Sequence, residues 1–518
     1  MVTLTTDVLV IGGGATGAGV AWDASLRGLD VVLVERHDLA QGTSGRFHGM
    51  IHSGGRYAVK DPLAARECIA ENRILRRIAA DCMEDTGGLF VTTPHDDPAF
   101  AERFAQGCAQ TGVPCEEITP AQALREEPRL HPGISRAFRV PDANIDVWKT
   151  VWALAHGAQQ HGARILTYHA VTAILRDGDQ VLGARVHDQR GGEDLEIRAR
   201  VTVNATGAWA GRIAELAGIE GVRVFPGRGI MIAMNHRLVN TVVNRCQMPT
   251  DGDIIVPIRT VSVIGTTDHH TDDPDDQTVE QREVDQMLDD GEKLVPGFRQ
   301  ARALRVWTGV RPLFEDAKAA DTDTRDVTRA HALLDHEQRD AVNGFVTITG
   351  GKLTTFRLMA EQTVDAVCRQ LGETRACTTA SEPLPGSERR EHYRLGERLA
   401  RKEADLNGEQ LICECEMVSR QRLEQVIART GSTDLDDIRR QLRLGMGPCQ
   451  GGFCIYRATG VLHARDGLGA DQADASLMAF LQERWKGVWP VLHGDQLRQA
   501  RLDEWIFHGV LDVEHLPR

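Results

Sequence analysis

Short apolar runs punctuate residues 1–375, each leading into a glycine-containing turn. They stand at Val8–Ile11, Val201–Ala205 and Phe345–Ile348. Helix-like stretches and polar turns such as Arg176–Asp179 and Gln189–Glu193 lie between them. This alternation predicts an α/β unit. The pattern breaks after Cys377. The turn-rich TTASEPLPGS and a charged stretch fill residues 378–410, which read as a linker or long surface connection. No internal repeat or low-complexity tract appears.

The first strand runs into Gly12-Gly13-Gly14-Ala15-Thr16-Gly17, a helix-like stretch ending at Gly28, and a second strand ending at Glu35. In this order Gly12 permits the tight turn, Gly14 lets the backbone approach a pyrophosphate, and Gly17 lets the helix pack on the strand. The helix N-terminus offers N–H groups to phosphate. Glu35, 18 residues after Gly17, suits a ribose 2′-hydroxyl. Three further glycine-rich turns follow. Arg36 leads to Thr43, Ser44 and Gly45; Asn204-Ala-Thr-Gly207 closes a later strand; and Thr349-Gly-Gly351-Lys352-Leu353-Thr354-Thr355 precedes a helix. Four such turns exceed what a diffusible NAD requires and favour FAD. The last helix N-terminus can stabilise negative charge on a reduced flavin ring.

Cys413-x-Cys415, 33 residues, then Cys449-x4-Cys454 is the second chemical signature. A helix is predicted from Ser419 and another from Thr433, the latter with Asp436 in a capping box. Four thiolates suit a [2Fe–2S] cluster, and glycines around the last pair let the chain wrap it. Structural zinc also accepts four thiolates, although C-x-C is cramped for it. The other seven cysteines are scattered singly.

Composition narrows the field. The 518 residues suggest about three domains. A net charge of −14 argues against nucleic acid as partner but not against a small anion met by local Arg and Lys. No stretch approaches the ~18–20 apolar residues of a membrane span. The N-terminus also lacks the pattern of a signal peptide, so the chain is expected to be soluble and intracellular.

GGGATGAG…VERHD, HSGGRYA, GVRPL and TGGKLTTFRLMAE together resemble the FAD-dependent glycerol-3-phosphate dehydrogenases. With CECE, GMGPCQGGFC and ERWKGVWP the likeness is to the catalytic subunit of the anaerobic enzymes and covers nearly the whole chain. The cysteine region resembles the bacterioferritin-associated-ferredoxin-like domain. The resemblance implies a Rossmann-like FAD-binding domain interleaved with a mixed-sheet substrate domain over residues 1–377, as in the amine and hydroxyacid oxidases. It also implies a helical [2Fe–2S] domain over 411–465 and a tail over 466–518. Oxidation of sn-glycerol 3-phosphate would send electrons through the cluster to the quinone pool. Arg56 and Arg311 would bind the substrate anion, Tyr57 would neighbour it, and Lys352 would stand at the flavin–substrate junction. Some relatives carry a catalytic His where this chain has about Met231. His52 is then the leading candidate base, and His48 the second. His269 and His270 read as loop residues. The implied partners are a second flavin-associated subunit and an iron–sulfur anchor subunit, holding the chain peripherally on the cytoplasmic face of the inner membrane. A related 2-hydroxyacid or amino-acid dehydrogenase, or a non-catalytic electron-transfer subunit, remains the alternative.

Overall fold

The structure is a computed structural model that describes residues 2–314, 330–404, 408, 410–464, 468–510 and 512–515. Among the described residues, two large sheets and one small three-stranded sheet form the large unit. In the first, strands Arg164–Thr167, Val31–Glu35, Val2–Ile11 and Asp194–Asn204 lie side by side and parallel. Phe345–Gly350 joins the end of Asp194–Asn204, also parallel. The buried runs seen in the sequence are these strands: Val8, Leu9, Val10, Val31, Val32 and Leu33 are fully buried, because helices and chain cover both faces. The helix Ala15–Leu26 packs beneath, with Trp22 in the core.

Register explains where a ligand goes. Ile11 pairs with both Val34 and Asn204, and Asn204 pairs with Thr347. The turns that follow Ile11, Asn204 and Ile348 therefore emerge together at the carboxyl edge of one sheet, where open α/β sheets bind ligands.

Among the described residues the second large sheet has nine strands and is mixed. Val242–Arg245 runs parallel to Gly88–Thr92, whereas the other pairs, including the long Val224–Met234 with Ala303–Phe314, are antiparallel. His269 and His270 form a two-residue strand against Arg228 and Gly227 rather than a loop. The two sheets draw on interleaved segments of the chain, as the fold class required.

Residues 378–394 do not hang free. Leu384 and Tyr393 donate backbone bonds to Ile78 and Met83, and a helix follows at Leu395–Ala404. The cysteine region is a small helical body. Ser419 caps the helix Arg420–Thr430, as its position predicted. The next helix starts at Leu435, not Thr433. Asp434 caps it by accepting from the Asp436 and Asp437 N–H groups, while Asp436 turns to Arg439 and Arg440. A carboxylate directly before the first turn outcompetes the capping box. The helix Ala470–Val488 buries Leu477 and Phe480 in this same core, so part of the expected tail closes the cysteine body. Among the described residues no helix is long and apolar enough to cross a membrane.

Candidate active site and cysteine centre

A cavity of about 1210 Å³ opens where the two sheets meet. Its floor is the glycine turn after the first strand. Gly17 faces the Gly12 carbonyl so closely that a β-carbon there would stand 1.9 Å from the oxygen. Gly17 therefore stays behind the wall, while Gly12 and Gly14 line it. The Ala15 N–H at the helix start donates to Ser44 Oγ at 3.0 Å. Glu35 lines the cavity with its carboxylate aimed by the Gly13 and His37 N–H groups at 2.7 and 3.0 Å. Burial raises its pKa against those bonds.

The other expected turns converge here. Thr43 donates to the Val310 carbonyl, tying its loop to the second sheet. Gly207 accepts from Thr349 at 3.1 Å, which joins two of the turns directly. Gly351, Lys352 and Leu353 line the cavity. Thr354 lies behind them and accepts the His52 N–H at 3.1 Å. Arg36 lies over the Trp209 ring at 4.5 Å and pairs with Asp275 at 2.8 Å; Trp209 and Arg212 bind the same carboxylate. Sequence reasoning missed Trp209 and Asp275. The signal for Trp209 was its place two residues past the Asn204–Gly207 turn; Asp275 gave none.

At the other end stand His48, His52, Arg56, Tyr57, Lys352 and Arg311. The His52 ring meets Tyr57 edge-on at 5.2 Å and His48 at 6.1 Å. Lys352 Nζ lies 5.5 Å from the Tyr57 ring and 3.8 Å from Glu67. Arg56 pairs with Asp253 at 2.9 Å. Arg311 pairs with Asp268 at 2.8 Å and also binds the Thr267 carbonyl and Thr266 hydroxyl. Both carboxylates went unnoticed in the sequence. They orient the guanidiniums toward the cavity wall that both line. Burial, with Arg56 and Arg311 nearby, pushes the His48 imidazole down to about 3, so it is neutral at physiological pH. A β-carbon on Gly265 would touch both Met231 Cγ and His48 Cδ2, at 2.9 and 3.5 Å. His48 thus lies beside the strand position that Met231 holds. His269 and His270 stay out of the cavity wall.

The four clustered cysteines also converge. Cys454 contacts Cys413, Cys413 contacts Cys415, and Cys415 Sγ lies 3.8 Å from Cys449 Sγ. These contacts raise the Cys449 and Cys415 thiols above their ordinary range. Gly447 fits only because it lacks a side chain: a β-carbon would stand 2.3 Å from Cys415 Cβ. Among the described residues no three cysteine sulfurs lie within 4.8 Å of one another. A tetrahedral zinc site, with Zn–S about 2.3 Å, draws all four to roughly 4 Å. The longer spread suits two irons bridged by sulfide.

Two family models match the chain: an FAD dependent oxidoreductase over residues 7–365, and a BFD-like [2Fe-2S] binding domain over residues 411–464. The A subunit of the anaerobic glycerol-3-phosphate dehydrogenase of Escherichia coli is 45% identical, across 98% of this chain and 97% of its own. The A1 subunit of the Haloferax volcanii enzyme is 44% identical, across 99% and 91%. Among solved structures, the FAD-complexed glycerol-3-phosphate dehydrogenase of Bacillus halodurans has a TM-score of 0.66 at 21% identity, covering 95% of this chain and 96% of that one. Glycine oxidase from Geobacillus kaustophilus shares the fold of the large unit, with a TM-score of 0.58 at 23% identity over 74% of this chain and 98% of that one. The converging glycine turns lie within the first matched range and the four gathered thiols within the second; the chain belongs to the FAD-dependent oxidoreductases, in the family of the anaerobic glycerol-3-phosphate dehydrogenase A subunits.

Proposed function

We propose that this chain oxidises sn-glycerol 3-phosphate to dihydroxyacetone phosphate and passes the electrons through its [2Fe–2S] centre to partner subunits and the quinone pool. The observation that carries this reading is the pairing of two carboxylate-oriented arginines, Arg56 and Arg311, with two histidines in the cavity where the nucleotide turns meet. FAD, when bound, supplies the acceptor for the C2 hydride.

The chain's own residues do the rest. Arg56 and Arg311 hold the phosphate dianion, for which planar guanidinium groups are suited. Arg311 has its Nη groups on Asp268, Thr267 and Thr266, so phosphate binding exchanges some of these contacts. His52 takes the C2 hydroxyl proton; Thr354 fixes its backbone and Tyr57 its ring. His48 keeps a neutral imidazole beside it. Lys352, held near Glu67, faces the junction of cofactor and substrate. Glu35, Arg36, Thr43, Ser44, Gly207 and Gly351 hold the dinucleotide.

Membrane attachment is indirect in this reading, through an iron–sulfur anchor subunit beside a second flavin-associated subunit, on the cytoplasmic face of the inner membrane. Trp489 and Trp505, 66% and 73% exposed, give a partner an aromatic surface next to the cysteine body. Steady-state turnover with a soluble dye acceptor tests the substrate. Glycerol 3-phosphate should be oxidised. Turnover of a 2-hydroxyacid or amino acid in its place refutes the assignment, and an inert flavin leaves an electron-transfer role.

A further inference from the structure

Arg484 belongs to the ERWKG stretch whose neighbouring tryptophan faces outward, yet it is only 4% exposed. It lies one helical turn beyond Phe480 and on the same face. Phe480 packs against Gly445 and Gly451, which bracket Cys449. The Arg484 guanidinium donates to Gln450 Oε1, and Gln450 Nε2 donates to the Gly447 carbonyl at 2.9 Å. Gly447 in turn abuts Cys415. One side chain therefore links Arg484 to the loop that carries Cys449 and covers Cys415.

Among the described residues, Arg484 Nε and Nη1 have no hydrogen-bond partner, and neither has Arg305 Nε. Charges face this group from three elements. The strand Ala303–Phe314 brings Arg305, the helix Leu435–Leu442 brings Arg439 and Asp436, and Glu483 lies on its own helix. Asp436 is already shared by Arg439 at 2.8 Å and Arg440 at 3.1 Å. Positive charge is in excess. Guanidinium groups do not deprotonate in proteins, and a buried cation without a counter-charge is strongly disfavoured.

Beyond Asp436 and Glu483, the cysteine centre is the anionic group to which Arg484 is linked, through Gln450 and the Gly447 carbonyl. Four thiolates and two sulfides outweigh two ferric ions by two negative charges, and each electron delivered there adds one more. We propose that Arg484 and Arg305 form an electropositive wall that holds the reduction potential of the iron–sulfur centre up, so that it accepts electrons from the reduced flavin. This rests on the reading that Cys413, Cys415, Cys449 and Cys454 hold a [2Fe–2S] cluster.

The test is an anaerobic redox titration of the purified holoprotein. The reduced cluster is followed by electron paramagnetic resonance, with iron and flavin content measured on each sample. Arg484→Gln should lower the cluster potential enough to shift the one-electron equilibrium tenfold or more, a change of about 59 mV. Arg484→Lys, which keeps the charge, should stay nearer the wild type. Arg305→Gln has no contact with the cysteine loop and should shift the potential in the same direction at full iron content, so it decides the matter if Arg484→Gln loses iron. Wild-type potentials in both glutamine variants overturn the proposal. Equal shifts in Arg484→Gln and Arg484→Lys also overturn it, because the lost bond to Gln450 would then account for the effect. A wild-type protein without iron refutes the underlying cluster reading instead.

Discussion

Replacing Arg56 by Gln separates two jobs that the structure gives one guanidinium. Arg56 binds Asp253 at 2.9 Å, and the Asp253 side chain is 1% exposed. Removing the cation leaves a buried carboxylate without its partner, at a stability cost of roughly 3–5 kcal/mol. The same change removes a charge-assisted bond to substrate phosphate, worth about 1.5–3 kcal/mol, or roughly 10- to 150-fold in kcat/KM. The double variant Arg56→Gln/Asp253→Asn tells them apart. It removes the buried charge, so most of the thermal stability should return, while kcat/KM for glycerol 3-phosphate should stay low. Dye-linked kinetics with glycerol 3-phosphate and with glycerol, alongside thermal melts, read both effects. Preference for the phosphorylated substrate should fall in both variants. If the double variant recovers wild-type kcat/KM, Arg56 serves only to neutralise Asp253 and the phosphate assignment fails.

Three other changes probe different levels. Gly17→Ala places a methyl group 1.9 Å from the Gly12 carbonyl and should yield protein largely free of FAD, measured as flavin released per chain; full flavin content would show that the turn can open. Cys449→Ser should strip iron while FAD stays at the wild-type ratio, by metal and flavin analysis, and zinc in the wild type would contradict the two-iron reading. His48 makes stability pH-dependent with a definite sign. The unfolded chain takes up its proton below about 6.5 and the folded one only near 3, so the native state weakens as pH falls through that window, by on the order of a few kcal/mol. Chemical unfolding at about pH 7.5 and pH 5 should show a smaller loss in His48→Asn than in the wild type; an equal loss would mean that His48 titrates normally.

Much of the site was legible because local pattern and chemistry coincide there. The strand–GxGxxG–helix–strand–Glu35 order, the cysteine spacing and the glycine-flanked arginines each lie within one short segment. What the sequence hid is what only register brings together. Asp253 and Asp268 flank strands of the second sheet, far in the chain from their partners Arg56 and Arg311, and Asp275 meets Arg36 from a distant segment. The Asp434 cap was missed by one residue because several neighbouring side chains there can cap. Arg484, directly before the exposed Trp485, gave no sign of its burial, since helical phase alone does not say which face a cysteine loop will cover.

In the proposed reaction glycerol 3-phosphate delivers its electrons into this chain. Mixing the purified protein anaerobically with glycerol 3-phosphate, with no dye present, tests it most directly. The oxidised-flavin absorbance should bleach, and the signal of the reduced iron–sulfur centre should rise with it. A flavin that stays oxidised in the presence of saturating glycerol 3-phosphate would contradict the account.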